Sequence, residues 1–129
     1  MSDCPTLEQS LAEFAVTEAL TRFSGSREKY CFWLARFVAE IAAFETGTAE
    51  LLAAGQLDAA HRAVHGLKGR SASLGIVRVH FAAQQLDTAL LAGDPWHDAW
   101  ETLHSEIARA CATLKPCLAR QGSDDIKVI

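Results

Sequence analysis

The sequence predicts an all-α protein: an antiparallel up-down four-helix bundle with an additional N-terminal helix. Three observations carry this. Half of the residues are apolar and 22% are charged, with alanine and leucine abundant and only three prolines, the balance of a globular helical chain. Apolar residues recur at helical spacing over long stretches, and no strand-like alternation, repeat or low-complexity tract interrupts them. Glycines separate these stretches by short connections, which make consecutive helices antiparallel neighbours. A chain of 129 residues can close one core without staples, so residues 1–129 are expected to form a single domain.

The first helix is expected over about residues 6–23, opened by a Thr6/Gln9 capping box and closed at Ser24-Gly25. Its apolar Leu7, Leu11, Phe14 and Ala15 would pack across the bundle or cap one end. The bundle itself is expected over about residues 26–119. Its first helix starts near Ser26 and stops at Gly55, with Phe37, Ile41, Phe44, Leu51 and Leu52 at helical spacing and Gly47 as a possible bend. Asp58 is expected to N-cap the next helix, which ends at Gly75. Another runs from about Val77 to Leu91 and ends at Gly93. Asp94-Pro95 then caps and starts the last, since proline suits a first helical position. That helix should continue to about Pro116 or a few residues beyond, with residues 120–129 frayed.

Composition excludes several classes of function. The formal net charge of −4 argues against general affinity for nucleic acid or an anionic membrane. The most apolar stretch, residues 30–44, contains Arg36 and Glu40 and is too short to span a bilayer. The start, MSDCPTLEQS, has no basic segment leading into an apolar run, so no secretory signal is expected and the protein should be cytoplasmic. Cysteines 4, 31, 111 and 117 lack metal-ligand spacing and are expected to be reduced, with Cys31 and Cys111 in the core. Trp33, Trp96 and Trp100 are expected to pack in the core or at its ends.

The stretch His65–Gly75, HGLKGRSASLG, is less ordinary. It lies inside a predicted helix, yet glycines 66 and 69 each cost roughly 1 kcal/mol there relative to alanine. At about 100° per residue, Ala60, Val64, Leu67, Ser71 and Leu74 form one stripe, and His65 lies about 140° from its centre. His65 therefore faces solvent. Its surface neighbours are His61, Arg62, Lys68 and Gly69, with Ala72 one turn further. Gly66, Gly69 and Ala72 leave the imidazole standing clear. Arg62 and Lys68 place positive charge within a turn, and Arg70 and Arg78 are expected to add to it. The glycines thus let another protein's surface approach a protruding imidazole beside cations.

If the chain reverses near residue 75, antiparallel packing sets position 65 level with position 86. Leu86 belongs to the stripe Val79, Ala83, Leu86 and Leu90, and Asp87 lies at its edge beside His80 and Gln84. A carboxylate there could accept a hydrogen bond from His65 Nδ1–H and leave Nε2 as a free nucleophile.

At these residues the sequence resembles the histidine-containing phosphotransfer (HPt) domains of two-component phosphorelays. Their signature, approximately His-x-Leu-Lys-Gly-x-small-x-x-(Leu/Ile)-Gly, is matched at every fixed position by His65–Gly75, and the resemblance extends over about residues 57–92. It implies that His65 carries a phosphoryl group on Nε2, taken from a receiver-domain aspartate and passed to another. Lys68 would pair with phosphoryl oxygens, and Gly69 would leave room for the partner, with Gly66, Arg62, Arg70, Ala72 and His61 around it. Asp87 falls where the family often has a glutamate or glutamine that orients the imidazole, and Gln84 is the reserve for that role. Arg70 stands where serine is common, and Gly66 where threonine or a larger residue is usual.

The resemblance further implies response-regulator receiver domains and a hybrid sensor kinase as partners. Magnesium would sit on the receiver, with no cofactor intrinsic to this chain, which would be a monomer or weak dimer. A P-loop is not visible, so the chain would be a phosphocarrier without ATP-dependent kinase activity. Two alternatives remain. One is a helical interaction module in which His65 is simply exposed. The other is a zinc site on His61 and His65, four apart on one face, although no glutamate follows His61 in the HExxH manner.

Overall fold

In the computed structural model the backbone is described for residues 7–126 and side-chain surroundings for residues 7–120. Six helices and no strand lie within those residues: α1 Leu7–Ser10, α2 Val16–Arg22, α3 Arg27–Ala53, α4 Leu57–Ser73, α5 Val77–Ala92 and α6 His97–Ile126. The all-helical expectation holds. The long helices α3 to α6 are joined by three or four residues each. α4 packs along α5, α5 along α6, and α3 against both α4 and α6.

Their facing stripes form the core. Leu34 of α3, Val64 and Leu67 of α4, Val79 and Leu86 of α5, and Leu103 and Leu114 of α6 are fully buried. Enclosing one leucine to that degree stabilises by roughly 1.5–3 kcal/mol. Cys31 and Cys111 are buried in this core, as expected, and so is Cys117; Cys4 lies outside the described residues. Burial pushes the thiols of Cys111 and Cys117 up from their usual range, so neither is a ready nucleophile. Among the described residues, no helix is long and apolar enough to cross a membrane.

Ser26 caps α3, its hydroxyl accepting from the Lys29 N–H at 3.1 Å. Other boundaries differ from expectation. The single N-terminal helix over residues 6–23 is two short ones, because the Ala15 N–H donates to Gly75 O at 2.9 Å instead of continuing a helical ladder. Gly75 is left-handed (φ +73°), and a Cβ there would lie 2.6 Å from Ala15 O. The α4–α5 corner therefore sits directly on the break. The proposed Thr6 cap lies outside the described residues.

α4 begins at Leu57 behind Gln56, which provides no side-chain cap, so Asp58 is not the N-cap. It lies in the first turn instead, where a carboxylate still meets the positive end of the helix dipole. α6 begins at His97, two residues beyond Pro95, with Trp96 O accepting from the Trp100 N–H. Residues 94–96 are used to cross from α5 to α6. α6 also continues through Pro116 to Ile126, further than expected and into the stretch expected to fray. Proline removes one helical hydrogen bond, but Leu114 and Cys117 on either side are buried and hold the helix to the core.

The end of α4 is held in place. Arg22 donates to Ser73 O at 3.0 Å and Ala72 O at 3.4 Å, and the buried Tyr30 hydroxyl donates to Leu74 O at 2.7 Å. These bonds satisfy carbonyls that a helix terminus leaves unpaired.

Candidate functional site

α4 carries its buried stripe as expected: Ala60, Val64, Leu67 and Ser71 are enclosed. Ser71 does not leave a polar group stranded, since its hydroxyl donates to Leu67 O at 2.7 Å. On the far side the His65 side chain is 63% exposed. A Cβ at Gly69 would meet nothing within 4 Å, and one at Gly66 would meet only the Arg70 guanidinium at 3.4 Å. Neither glycine is demanded by packing inside the chain. Arg62 and Arg70 are exposed and Ala72 is half-buried.

Asp87 on α5 is level with His65, as the register argument required, but it is buried deeper than an edge position, at 7% exposure. Three α4 side chains converge on it. Lys68 Nζ donates to Oδ2 at 2.9 Å. His61 Nε2 lies 2.7 Å from Oδ1 without hydrogen-bond alignment, and His65 Nδ1 lies 3.6 Å from the same oxygen. Burial pushes the Asp87 carboxyl up. The Lys68 hydrogen bond and charge, followed by His61 and His65, outweigh that and hold it below its usual range. The carboxylate is therefore ionised and paired, as a buried charge must be.

This geometry adds two features to the sequence reading. Lys68 does not stand free beside His65; in this state its ammonium belongs to Asp87. His61 remains next to His65, with ring centroids 6.0 Å apart, but it turns inward and only 26% of its side chain is exposed. The spacing could have shown this, because His61, His65 and Lys68 share one helix flank and Asp87 is the carboxylate facing it. A further tie was missed: His80 on α5 places Nδ1 3.1 Å from Lys68 O, so that nitrogen carries the donated proton. Gln84 is exposed one turn from Asp87 and makes no hydrogen bond to His65. Arg78 adds nothing to the site, since its guanidinium pairs with Glu106 at 2.8 and 2.9 Å.

Beside Gly69 and Arg70 a groove of about 440 Å³ opens between α3 and α4, floored by Phe23, Phe37 and Leu74 and rimmed by Trp33. Trp33 is 45% exposed, contrary to the expectation of a packed tryptophan. It is braced from outside, with Phe32 edge-on at 5.3 Å and the Arg36 guanidinium 5.6 Å from its ring centre. Trp96 and Trp100 do pack against the core. Among the described residues, no group of three or more His, Cys, Asp or Glu side chains is placed to hold a metal ion.

In comparison with known families, a model described as the Hpt domain matches residues 33–122. That span contains α4 and α5 entirely and most of α3 and α6. Comparisons with curated proteins and with solved structures return no match.

Proposed function

The chain belongs to the Hpt-domain family, whose members act in phosphotransfer during two-component signalling, and from that premise we propose a specific role. His65 accepts a phosphoryl group from a receiver-domain aspartyl phosphate and later passes it to the aspartate of another receiver. The observation that carries this is the outward imidazole of His65, 63% exposed, above bare backbone at Gly69 and beside an ionised carboxylate.

In the forward step His65 Nε2 attacks phosphorus. A P–N bond forms as the P–O bond to the receiver aspartate breaks, and that carboxylate leaves with the electron pair. The imidazole ring gains positive charge, and its Nδ1–H turns to Asp87, which stabilises it. Lys68 can reach the incoming oxygens only by giving up some of its hold on Asp87. It then neutralises phosphoryl charge by charge-assisted contact. Phosphoryl transfer depends on such positioning and neutralisation more than on covalent help. Magnesium would be supplied by the receiver, and this chain would need no cofactor of its own.

Receivers, among them that of a hybrid sensor kinase, would dock over Gly66, Gly69, Arg62, Arg70 and Ala72. The adjoining Trp33 groove would contribute apolar area to a contact of modest size that must also release. The short connections and helix pairing support an up-down bundle, and a cytoplasmic monomer or weak dimer fits this role. The test is incubation with a phosphorylated receiver, comparing His65→Gln with the parent. An acid-labile, base-stable label on the parent that is absent from the variant is expected. Equal labelling of both removes His65 from the role.

A further inference from the structure

Asp87 Oδ1 faces two imidazoles at once. His61 Nε2 is at 2.7 Å and His65 Nδ1 at 3.6 Å, while the other oxygen is taken by Lys68 at 2.9 Å. Both His61 Nε2 and Asp87 Oδ1 are buried side-chain atoms without an aligned hydrogen bond, an uncomfortable arrangement for groups cut off from water. The nearer claimant is not the exposed histidine. His61 is mostly enclosed, so it cannot trade Asp87 for solvent, whereas His65 can. Resting on the phosphotransfer reading above, we propose that His61 is a positioning residue that competes with His65 for Asp87 Oδ1. It holds the carboxylate in the unloaded state and so limits how firmly the reactive imidazole is oriented.

The consequence is a graded site. While Asp87 leans toward His61, the proton of neutral His65 is divided between its two nitrogens. The form with Nδ1–H and a bare Nε2, the one able to attack phosphorus, is only part of the population. Once Nε2 carries the phosphoryl group, the ring can donate only from Nδ1. Its charge then pulls Oδ1 away from His61. An aspartate suits such an exchange: its short side chain reaches the two imidazoles unequally, and a small tilt reverses the preference.

The test replaces His61 with phenylalanine, which keeps a ring in the half-buried position and removes the donor, and with glutamine, which keeps a donor. Nitrogen-resolved NMR of the histidine rings at pH about 8.5, above the ordinary imidazole range, reads the His65 tautomer directly. His61→Phe should shift the His65 tautomer ratio toward Nδ1–H by roughly fivefold, the weight of one ordinary hydrogen bond. It should raise the rate of labelling from a phosphorylated receiver by a smaller factor, because the fraction of the reactive tautomer grows less than the ratio does, while His61→Gln stays near the parent in both. An unchanged tautomer ratio in the folded phenylalanine variant overturns the competition, as does a shift toward Nε2–H. A tautomer shift with no labelling of any variant would support the competition and sink the phosphotransfer reading instead.

Discussion

Replacing Gly69 with alanine should make the protein more stable and a poorer phosphoryl acceptor at once. Gly69 lies within α4, four residues before its end at Ser73, and its backbone is not left-handed. A Cβ there meets nothing within 4 Å, so alanine introduces no clash and recovers about 1 kcal/mol of helix propensity. For a domain of this size that raises the melting temperature by about 3–5 °C. Glutamine should recover most of the same propensity, but its side chain projects over the surface one turn from His65. If a receiver must come close there, Gly69→Gln should slow labelling of His65 about tenfold, equivalent to ~1.4 kcal/mol of lost docking, with alanine in between. Thermal melts followed by circular dichroism give the first quantity, and transfer from a limiting phosphorylated receiver gives the second. A lowered melting temperature for Gly69→Ala would mean that the glycine serves packing within the chain. A stable glutamine variant labelled at the parental rate would mean that nothing approaches this surface closely, and the account of the two costly glycines would fail.

Gly75→Ala and Gly93→Ala should separate strain from collision. Both glycines are left-handed, which alone costs an alanine about 1–2 kcal/mol, but only at Gly75 would the Cβ strike a backbone oxygen, Ala15 O at 2.6 Å. Urea unfolding should show Gly75→Ala worse than Gly93→Ala by a further ~1–2 kcal/mol, through the disturbed Ala15–Gly75 hydrogen bond; equal costs would refute the tight corner. Asp87→Asn should cost about 1–3 kcal/mol at pH 7, since it removes the ionic partner of Lys68. The folded Asp87 carboxyl is held below its usual range, so its stabilising contribution is complete above that range and drains away as pH falls below about 4. Unfolding measured between pH 3 and 7 should therefore show a shallower acid limb for Asp87→Asn than for the parent, and superimposable limbs would contradict the pairing.

Much of the fold was legible because helices announce themselves locally. The stripe Ala60, Val64, Leu67, Ser71 and Leu74 is set by a 100° turn per residue, and it lies on the core where that rule puts it. His65 is exposed for the same reason, and its level against Asp87 follows from a short reversal at Gly75. Boundaries were less legible. Nothing near Ala15 signals a break, because the acceptor that ends the ladder, Gly75 O, lies sixty residues away in the chain. Asp58 has the chemistry of a cap, but the chain enters α4 two residues early, behind Gln56, where packing rather than capping decides. Pro116 has the chemistry of a stop, yet buried neighbours on both sides carry α6 past it.

By itself, the sequence determined the helical class, the outward imidazole, the bare backbone beside it and the carboxylate opposite. Each depends on spacing along one helix or across one short turn. Only the tertiary structure decided how the charges pair. Lys68 and His61 could have pointed to water, to phosphate or to Asp87, and Arg78 to the site or away from it. Those choices depend on sub-ångström differences in reach between side chains on different helices, and on the cost of leaving a buried carboxylate without a partner. Helical periodicity encodes neither.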